Sequence, residues 1–195
     1  MILGVTLTVF ILILLAELPD KTMIAVLIMG SRYRPVTVWI GATLAFAVHV
    51  TVAVAAGRLL QLLPHRWVEG VTAALFAAGS AYLLFVPEKE EEEKGEEEAD
   101  QARRGLKTVT AAFLVILVGE FGDLTQILTA NLAAKYHSAI SVFVGAMAGL
   151  AAAAALAAFG GKALLRVLPV AIIRKTGGVA LAGFAVYTLV TLVRG

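Results

Sequence analysis

The sequence contains no cysteine and few charged residues. Without cysteine, disulfides, thiolate metal ligands and dithiol redox chemistry are excluded. Only 15% of the residues are charged and 60% are hydrophobic, whereas soluble domains are about a quarter charged. Amphipathic helical faces and alternating strand patterns are scarce, and no basic patch with interleaved aromatic residues indicates a nucleic acid partner. A soluble domain, a β-barrel and a nucleic-acid-binding protein are therefore disfavoured.

Long apolar runs are what the sequence has instead. They recur along the whole chain at roughly 20 residues or more, which is typical of helices that cross a lipid bilayer. The first run follows no basic segment and precedes no small-residue cleavage site, so we expect a retained helix and not a cleaved signal peptide. The predicted fold class is all-α, a polytopic membrane protein with six transmembrane helices at 2–30, 36–63, 68–86, 106–134, 138–168 and 173–193.

Four acidic residues lie inside these apolar runs. They are Glu17, Asp20, Glu120 and Asp123, and they belong to two copies of one pattern, Glu17-Leu18-Pro19-Asp20-Lys21-Thr22 and Glu120-Phe121-Gly122-Asp123-Leu124-Thr125. A carboxylate at membrane depth costs several kcal/mol unless it is compensated, so such a residue indicates function. Two matched pairs predict one site built from both halves of the chain.

The two halves of the chain repeat each other. The predicted units are a first three-helix repeat at 1–86, an acidic linker at 87–105 and a second three-helix repeat at 106–195. Because three is an odd number, the second repeat should enter the membrane from the opposite side, as in transporters built from inverted repeats. Lys and Arg are concentrated in the 1–2, 3–4 and 5–6 loops, which predicts a cytoplasmic central loop and both termini outside. The short N-terminus is typical of a prokaryotic, inner-membrane protein.

The acidic pairs have the chemistry of a cation site. Acids three residues apart share one face of a helix, and two such faces offer up to eight carboxylate oxygens. An oxygen-only cage suits a hard divalent cation such as Ca²⁺ or Mn²⁺, which would be cargo, and we expect no cofactor. The predicted metal ligands, including neutral oxygens from Thr and Gln, are Glu17, Asp20, Thr22, Glu120, Asp123, Thr125 and Gln126.

Two further features predict how such a site would work. Pro19 and Gly122 separate the acids of each pair, where a helix break would expose backbone oxygen to the ion, although an ordinary kink is equally compatible. Four acids and Lys21 sum to a charge near −3. A low-dielectric site with that charge needs a cation or protons, and competition between the two is the basis of cation:proton exchange.

Several alternatives stay open. Glu17 and Lys21, four apart, could form a structural ion pair. His49 could relay protons, but its counterpart in the second half is Ala153, which favours a packed or pore-facing histidine. The Glu88–Asp100 run is a solvated linker or a cation-attracting antenna. An exporter of a small organic cation, such as a basic amino acid, is the second function, and an intramembrane hydrolase a weaker third, since no histidine lies near either acidic pair.

The duplicated motif resembles the signature of the Ca²⁺/Mn²⁺:H⁺ antiporter family, which includes the Golgi ion-homeostasis protein linked to glycosylation defects and bacterial manganese exporters. That signature is Glu, an apolar residue, Gly, Asp, a basic residue, then Ser or Thr. Pro19 replaces the glycine of the first copy and Leu124 the basic residue of the second, while both acids and the hydroxyl are kept. The resemblance covers nearly the whole chain and implies a secondary transporter, not an enzyme, that moves Mn²⁺ or Ca²⁺ against protons. The sequence leaves open whether the protein forms a homodimer.

Overall fold

The structure is a computed structural model that describes residues 2–18, 20–60, 62, 64–85, 108–167 and 170–194. Within these ranges the chain is helical and contains no strand, which confirms the all-α class. The predicted linker at 87–105 and the predicted kink at Pro19 lie outside the described residues. The helices are α1 Leu3–Glu17, α2 Lys21–Arg32, α3 Pro35–Leu60, α4 His65–Phe85, α5 Thr108–Gly119, α6 Leu124–Tyr136, α7 Ala139–Val167 and α8 Val170–Arg194.

The first and fourth predicted helices are each two helices. The axes of α1 and α2 differ by 74°, and those of α5 and α6 by 72°. Predicting single helices over 2–30 and 106–134 was therefore wrong, because the apolar run continues on both sides of each break and hides it. The other four predicted helices correspond to α3, α4, α7 and α8, with ends that differ by a few residues.

Two helices are long and apolar enough to cross a membrane by themselves. They are α3, with a mean hydropathy of 2.0, and the stretch Ala139–Gly160 of α7, with 2.2. Counting each bent pair as one span raises the number to 4 among the residues that the structure describes. Six spans stay a prediction.

The two halves of the chain exchange packing partners. Helix α3 packs on α5 and α6, while α7 packs on α1 and α2. A Cβ atom added to Gly41 would lie 2.5 Å from the backbone oxygen of Val109, and one added to Gly145 would lie 2.5 Å from that of Thr6. Gly41 and Gly145 occupy equivalent positions in the two repeats, and so do Thr6 and Val109. The same close contact therefore occurs twice, each time between a glycine of one half and a backbone oxygen of the other. Small residues permit such an approach between membrane helices.

The third helices of the two halves pack against each other. The rings of Phe76 on α4 and Phe184 on α8 have centroids 5.7 Å apart. Ser80 Oγ donates a 2.8 Å hydrogen bond to the backbone oxygen of Gly178. Helix α1 also contacts α6, and α2 contacts α5. These crossings bring the break between α1 and α2 next to the break between α5 and α6.

Candidate cation site at the two helix breaks

Both breaks contain the same backbone turn. The amide of Asp20 donates to the backbone oxygen of Glu17 at 3.0 Å, and the amide of Asp123 donates to the backbone oxygen of Glu120 at 3.2 Å. Asp20 is the N-cap of α2, with φ −84° and ψ 160°, and Asp123 is the N-cap of α6, with φ −67° and ψ 165°. Aspartate is favoured there because the first amides of a helix lack partners and its dipole attracts negative charge.

The acids of each pair are therefore not on one face of a continuous helix, and that prediction was wrong. Glu17 is the last residue of α1, and Glu120 follows the last residue of α5. Each glutamate stands at the end of one half-helix and each aspartate at the start of the next. Helix breaks, and not a shared helical face, therefore position these carboxylates.

Neutral side chains close the turns. Thr22 Oγ1 donates to Asp20 Oδ2 at 3.5 Å, and Thr125 donates to Asp123 Oδ2 through both Oγ1 and its amide, also at 3.5 Å. Gly122 has a φ of 83° and donates its amide hydrogen to Gln126 Oε1 at 2.6 Å. A helix break at Gly122 is thereby confirmed. The predicted ligand role of Thr22, Thr125 and Gln126 stays a prediction.

Three of the four predicted acids meet in the interior. Glu17, Asp20 and Glu120 are 2%, 8% and 3% exposed. One carboxylate oxygen from each lies within 4.8 Å of the other two. Oxygen ligands at about 2.3–2.6 Å from a Ca²⁺ ion lie up to roughly 5 Å apart across it, so this spacing fits one shared cation.

The fourth acid, Asp123, lies beside this cluster. It is half-buried and lines a cavity of about 360 Å³ together with Asp20, Lys21 and Tyr82. Thr125 lines the same cavity. Because Asp20 also belongs to the buried cluster, this cavity reaches the cluster at Asp20.

Lys21 connects the two motifs. Its Nζ lies 2.8 Å from Glu120 Oε1 and donates a 2.7 Å hydrogen bond to the Gly119 oxygen. The alternative of a local pair with Glu17 assumed helical spacing between residues 17 and 21, and the break removes that spacing. The basic residue of the first half thus compensates an acid of the second half, which no local sequence pattern indicates.

Glu17 and His49 have buried polar atoms without a hydrogen-bond partner. This holds for both carboxylate oxygens of Glu17 and both ring nitrogens of His49, among the residues that the structure describes. An unpaired buried carboxylate costs free energy unless a cation or a proton occupies it. By contrast, Asn131 Nδ2 donates a 2.9 Å hydrogen bond to the backbone oxygen of Ile127 in its own helix.

Comparison with known proteins identifies a family that matches each half of the chain. The sequence model of the family described as "Divalent cation/proton antiporter GDT1" matches the chain twice, over residues 5–91 and 108–194. The chain belongs to the GDT1 family of divalent cation/proton antiporters. This confirms the resemblance seen in the duplicated motif. The GDT1 family is one of transporters and not of enzymes.

Relatives of this GDT1-family chain occur in a cyanobacterium and in plants. It is 31% identical over 189 residues to a GDT1-like protein of Synechocystis, covering 90% of this chain and 91% of that protein. It is 28% identical over 208 residues to the chloroplastic protein PAM71 of Arabidopsis thaliana, covering 94% of this chain and 56% of that protein. GDT1-like protein 3 of the same plant is 27% identical over 198 residues, with 91% and 67% covered. No solved structure matches the chain.

Proposed function

We propose that this protein is a secondary transporter that exchanges a divalent cation, Mn²⁺ or Ca²⁺, for protons across a membrane. The observation that carries the proposal is the meeting of Glu17, Asp20 and Glu120, with oxygens from both halves of the chain within 4.8 Å of one another. Membership of an antiporter family supports it. The proposed ligands are those predicted from the sequence, Glu17, Asp20, Thr22, Glu120, Asp123, Thr125 and Gln126.

The charges of the cluster suit a divalent ion. Three carboxylates and the Lys21 ammonium leave two negative charges, which one divalent cation neutralises. When the cation leaves, protons must take its place, because unpaired charge is costly in a buried site. Cation and protons therefore exclude each other, and their alternation at one site couples the two fluxes.

The proposed architecture is two inverted three-helix repeats at 1–86 and 106–195 in a cell membrane. The swapped contacts of α3 and α7 and the family match in each half support it. The distribution of Lys and Arg supports a cytoplasmic segment at 87–105 and both termini outside. In such transporters the site lies where the repeats meet, and broken helices supply it with helix ends.

Transport in proteoliposomes tests the exchange. At a fixed membrane voltage, an imposed pH gradient alone should drive uptake of Mn²⁺ or Ca²⁺, with protons moving the other way. Binding of the cation should release protons and tighten as the pH rises, because protons compete for the same oxygens. Cation flux that follows the voltage and is unchanged when the pH gradient is collapsed would mean a channel, with the carboxylates as its filter.

One observation favours the export of a small organic cation. The cavity of about 360 Å³ beside Asp20 and Asp123 has an aromatic wall at Tyr82, and an ammonium or guanidinium binds both carboxylates and aromatic faces. Arginine added to the Mn²⁺ assay distinguishes the two functions. Under this alternative, arginine is itself transported and competes with Mn²⁺, whereas a divalent-cation site leaves Mn²⁺ uptake unaffected by arginine.

A further inference from the structure

His49 is a buried histidine on α3 that the exchange described above does not use. It is 4% exposed, and neither Nδ1 nor Nε2 has a hydrogen-bond partner among the residues that the structure describes. A neutral imidazole has one N–H donor and one nitrogen acceptor. Leaving both nitrogens without a close hydrogen bond in a packed interior costs free energy, so His49 has coordination capacity to offer a ligand.

The space beside His49 is a small cavity with both polar and apolar lining residues. It measures about 10 Å³ for the centre of a water-sized particle, which is room for about one such particle. Its polar lining residues are Glu120, Thr125, Gln126 and Thr129, and the rest of the wall is apolar, formed by Phe46, Val50, Ala53 and Leu150. The Phe121 ring, with its centroid 6.1 Å from that of His49, packs against the imidazole.

Glu120 joins this cavity to the carboxylate cluster. Its carboxylate belongs to the group formed with Glu17 and Asp20, and the same side chain lines the cavity of His49. Oε1 pairs with Lys21 Nζ, while Oε2 has no hydrogen-bond partner within the described part of the chain. Glu120 therefore borders both the carboxylate cluster and the cavity of His49.

We propose that this cavity is a second coordination position for the transported cation, with a His49 ring nitrogen and Glu120 as ligands, and that it selects first-row transition-metal dications over Ca²⁺ and Mg²⁺. The inference rests on the proposed function and adds the class of ion. Ca²⁺ and Mg²⁺ take oxygen ligands and gain nothing from an imidazole. Transition-metal dications bind nitrogen with an affinity that rises from Mn²⁺ to Co²⁺.

The selectivity would belong to one half of the molecule. The residue equivalent to His49 in the second half is Ala153, which is buried and has no donor or acceptor in its side chain. Glu120 therefore has an imidazole beside it that the repeat does not reproduce for Glu17.

Spectroscopy on the purified full-length protein tests the ligand without relying on transport. With Mn²⁺ bound, pulsed electron paramagnetic resonance should show modulation from a directly coordinated imidazole nitrogen. His49→Leu and His49→Gln should abolish it. His137→Gln, at an exposed position after α6, should retain it and is the matched control. Absence of nitrogen coupling in the parent protein, or its persistence in His49→Leu, overturns the proposal.

Affinities of the same variants test the selectivity. The ratio of Mn²⁺ to Ca²⁺ affinity should fall roughly tenfold or more in His49→Leu, which is the typical effect of removing a group that supports a metal. The affinity for Co²⁺ should fall by a larger factor than that for Mn²⁺. Equal losses for Mn²⁺ and Ca²⁺ would make His49 a packing residue. If His49→Leu does not fold, the same ratio is measured in His49→Gln, which keeps a polar side chain, and the same fall is expected. A parent protein that exchanges no cation for protons contradicts the proposed function, whereas the nitrogen coupling reports on His49 alone.

Discussion

The two helix breaks share a backbone and differ in their side chains. In both, the backbone oxygen of a glutamate accepts the amide hydrogen of the aspartate at the N-cap of the following half-helix. In the first break the next residue is Lys21, and in the second it is Leu124. The carboxylates of the two N-cap aspartates differ as well. The Asp123 side chain accepts a hydrogen bond from the Thr125 amide and is half-buried, whereas that of Asp20 makes no capping bond and belongs to the buried cluster.

This difference makes the four acids unequal. Lys21 reaches across to Glu120, whereas both carboxylate oxygens of Glu17 lack a hydrogen-bond partner among the described residues. Glu17 therefore depends most on a bound cation or proton, and Glu120 is held by a fixed positive charge. The duplicated motif thus gives the same backbone geometry twice, but the residues that differ between its copies decide how the charge of each acid is compensated.

The largest effect should come from removing the charge of the capping aspartates. Asp20→Asn and Asp123→Asn should each abolish exchange in proteoliposomes. Asparagine is as good an N-cap as aspartate, so the half-helices should keep their starts and only the charge is lost. Direct binding should separate the two residues, with Asp20→Asn losing more cation affinity because Asp20 alone belongs to the three-oxygen cluster.

Thermal unfolding in detergent is the control for both variants. The midpoint should stay close to that of the parent protein, which assigns the loss of exchange to the charge. Near-normal exchange by either variant would remove that aspartate from the mechanism. Equal losses of cation affinity would contradict the distinction between the two breaks.

A smaller effect should follow from making the first break like the second. Lys21→Leu removes the ammonium that lies 2.8 Å from Glu120, so the apparent cation affinity should rise roughly tenfold or more, the effect of one nearby charge on a buried acid. Turnover should fall, because a cation bound more tightly is released more slowly. Binding and initial rates, measured together, check both changes.

Leu124→Lys is the reciprocal variant. Leu124 lines the same cavity as Asp20 and Asp123, so a second ammonium there should weaken cation binding by a comparable factor. An unchanged affinity in both variants would mean that the charge at this motif position does not act on the site.

Much of the site followed from the sequence because its signals are local. Acids inside apolar runs stand out against the cost of burying charge, and their duplication predicted a site shared by both halves. That prediction located Glu17, Asp20 and Glu120 correctly as neighbours. The all-α class also followed from composition and run length alone.

The sequence did not indicate what depends on tertiary contacts. The partner of Lys21 lies 99 positions away, at Glu120, so no helical spacing reveals it. The mismatch with Ala153 favoured a packed or pore-facing histidine at position 49, and only the fold shows that His49 lines the same cavity as Glu120. Hydropathy alone did not show the helix breaks, because it stays high on both sides of each, whereas Gly122 predicted the position of the second break.

The smallest expected effect concerns the backbone of the second break. Gly122 has a φ of 83° and open space where a Cβ would lie, so Gly122→Ala should lower the free energy of unfolding by about 1–2 kcal/mol through conformation alone. Gly70→Ala is the matched control, since Gly70 has the same open space inside α4 without the positive φ, and it should raise stability by up to about 1 kcal/mol. Unfolding in detergent compares the two variants. Equal changes in the free energy of unfolding would show that the left-handed conformation of Gly122 does not stabilise this break. Opposite changes would show that the turn before Asp123 depends on glycine at position 122.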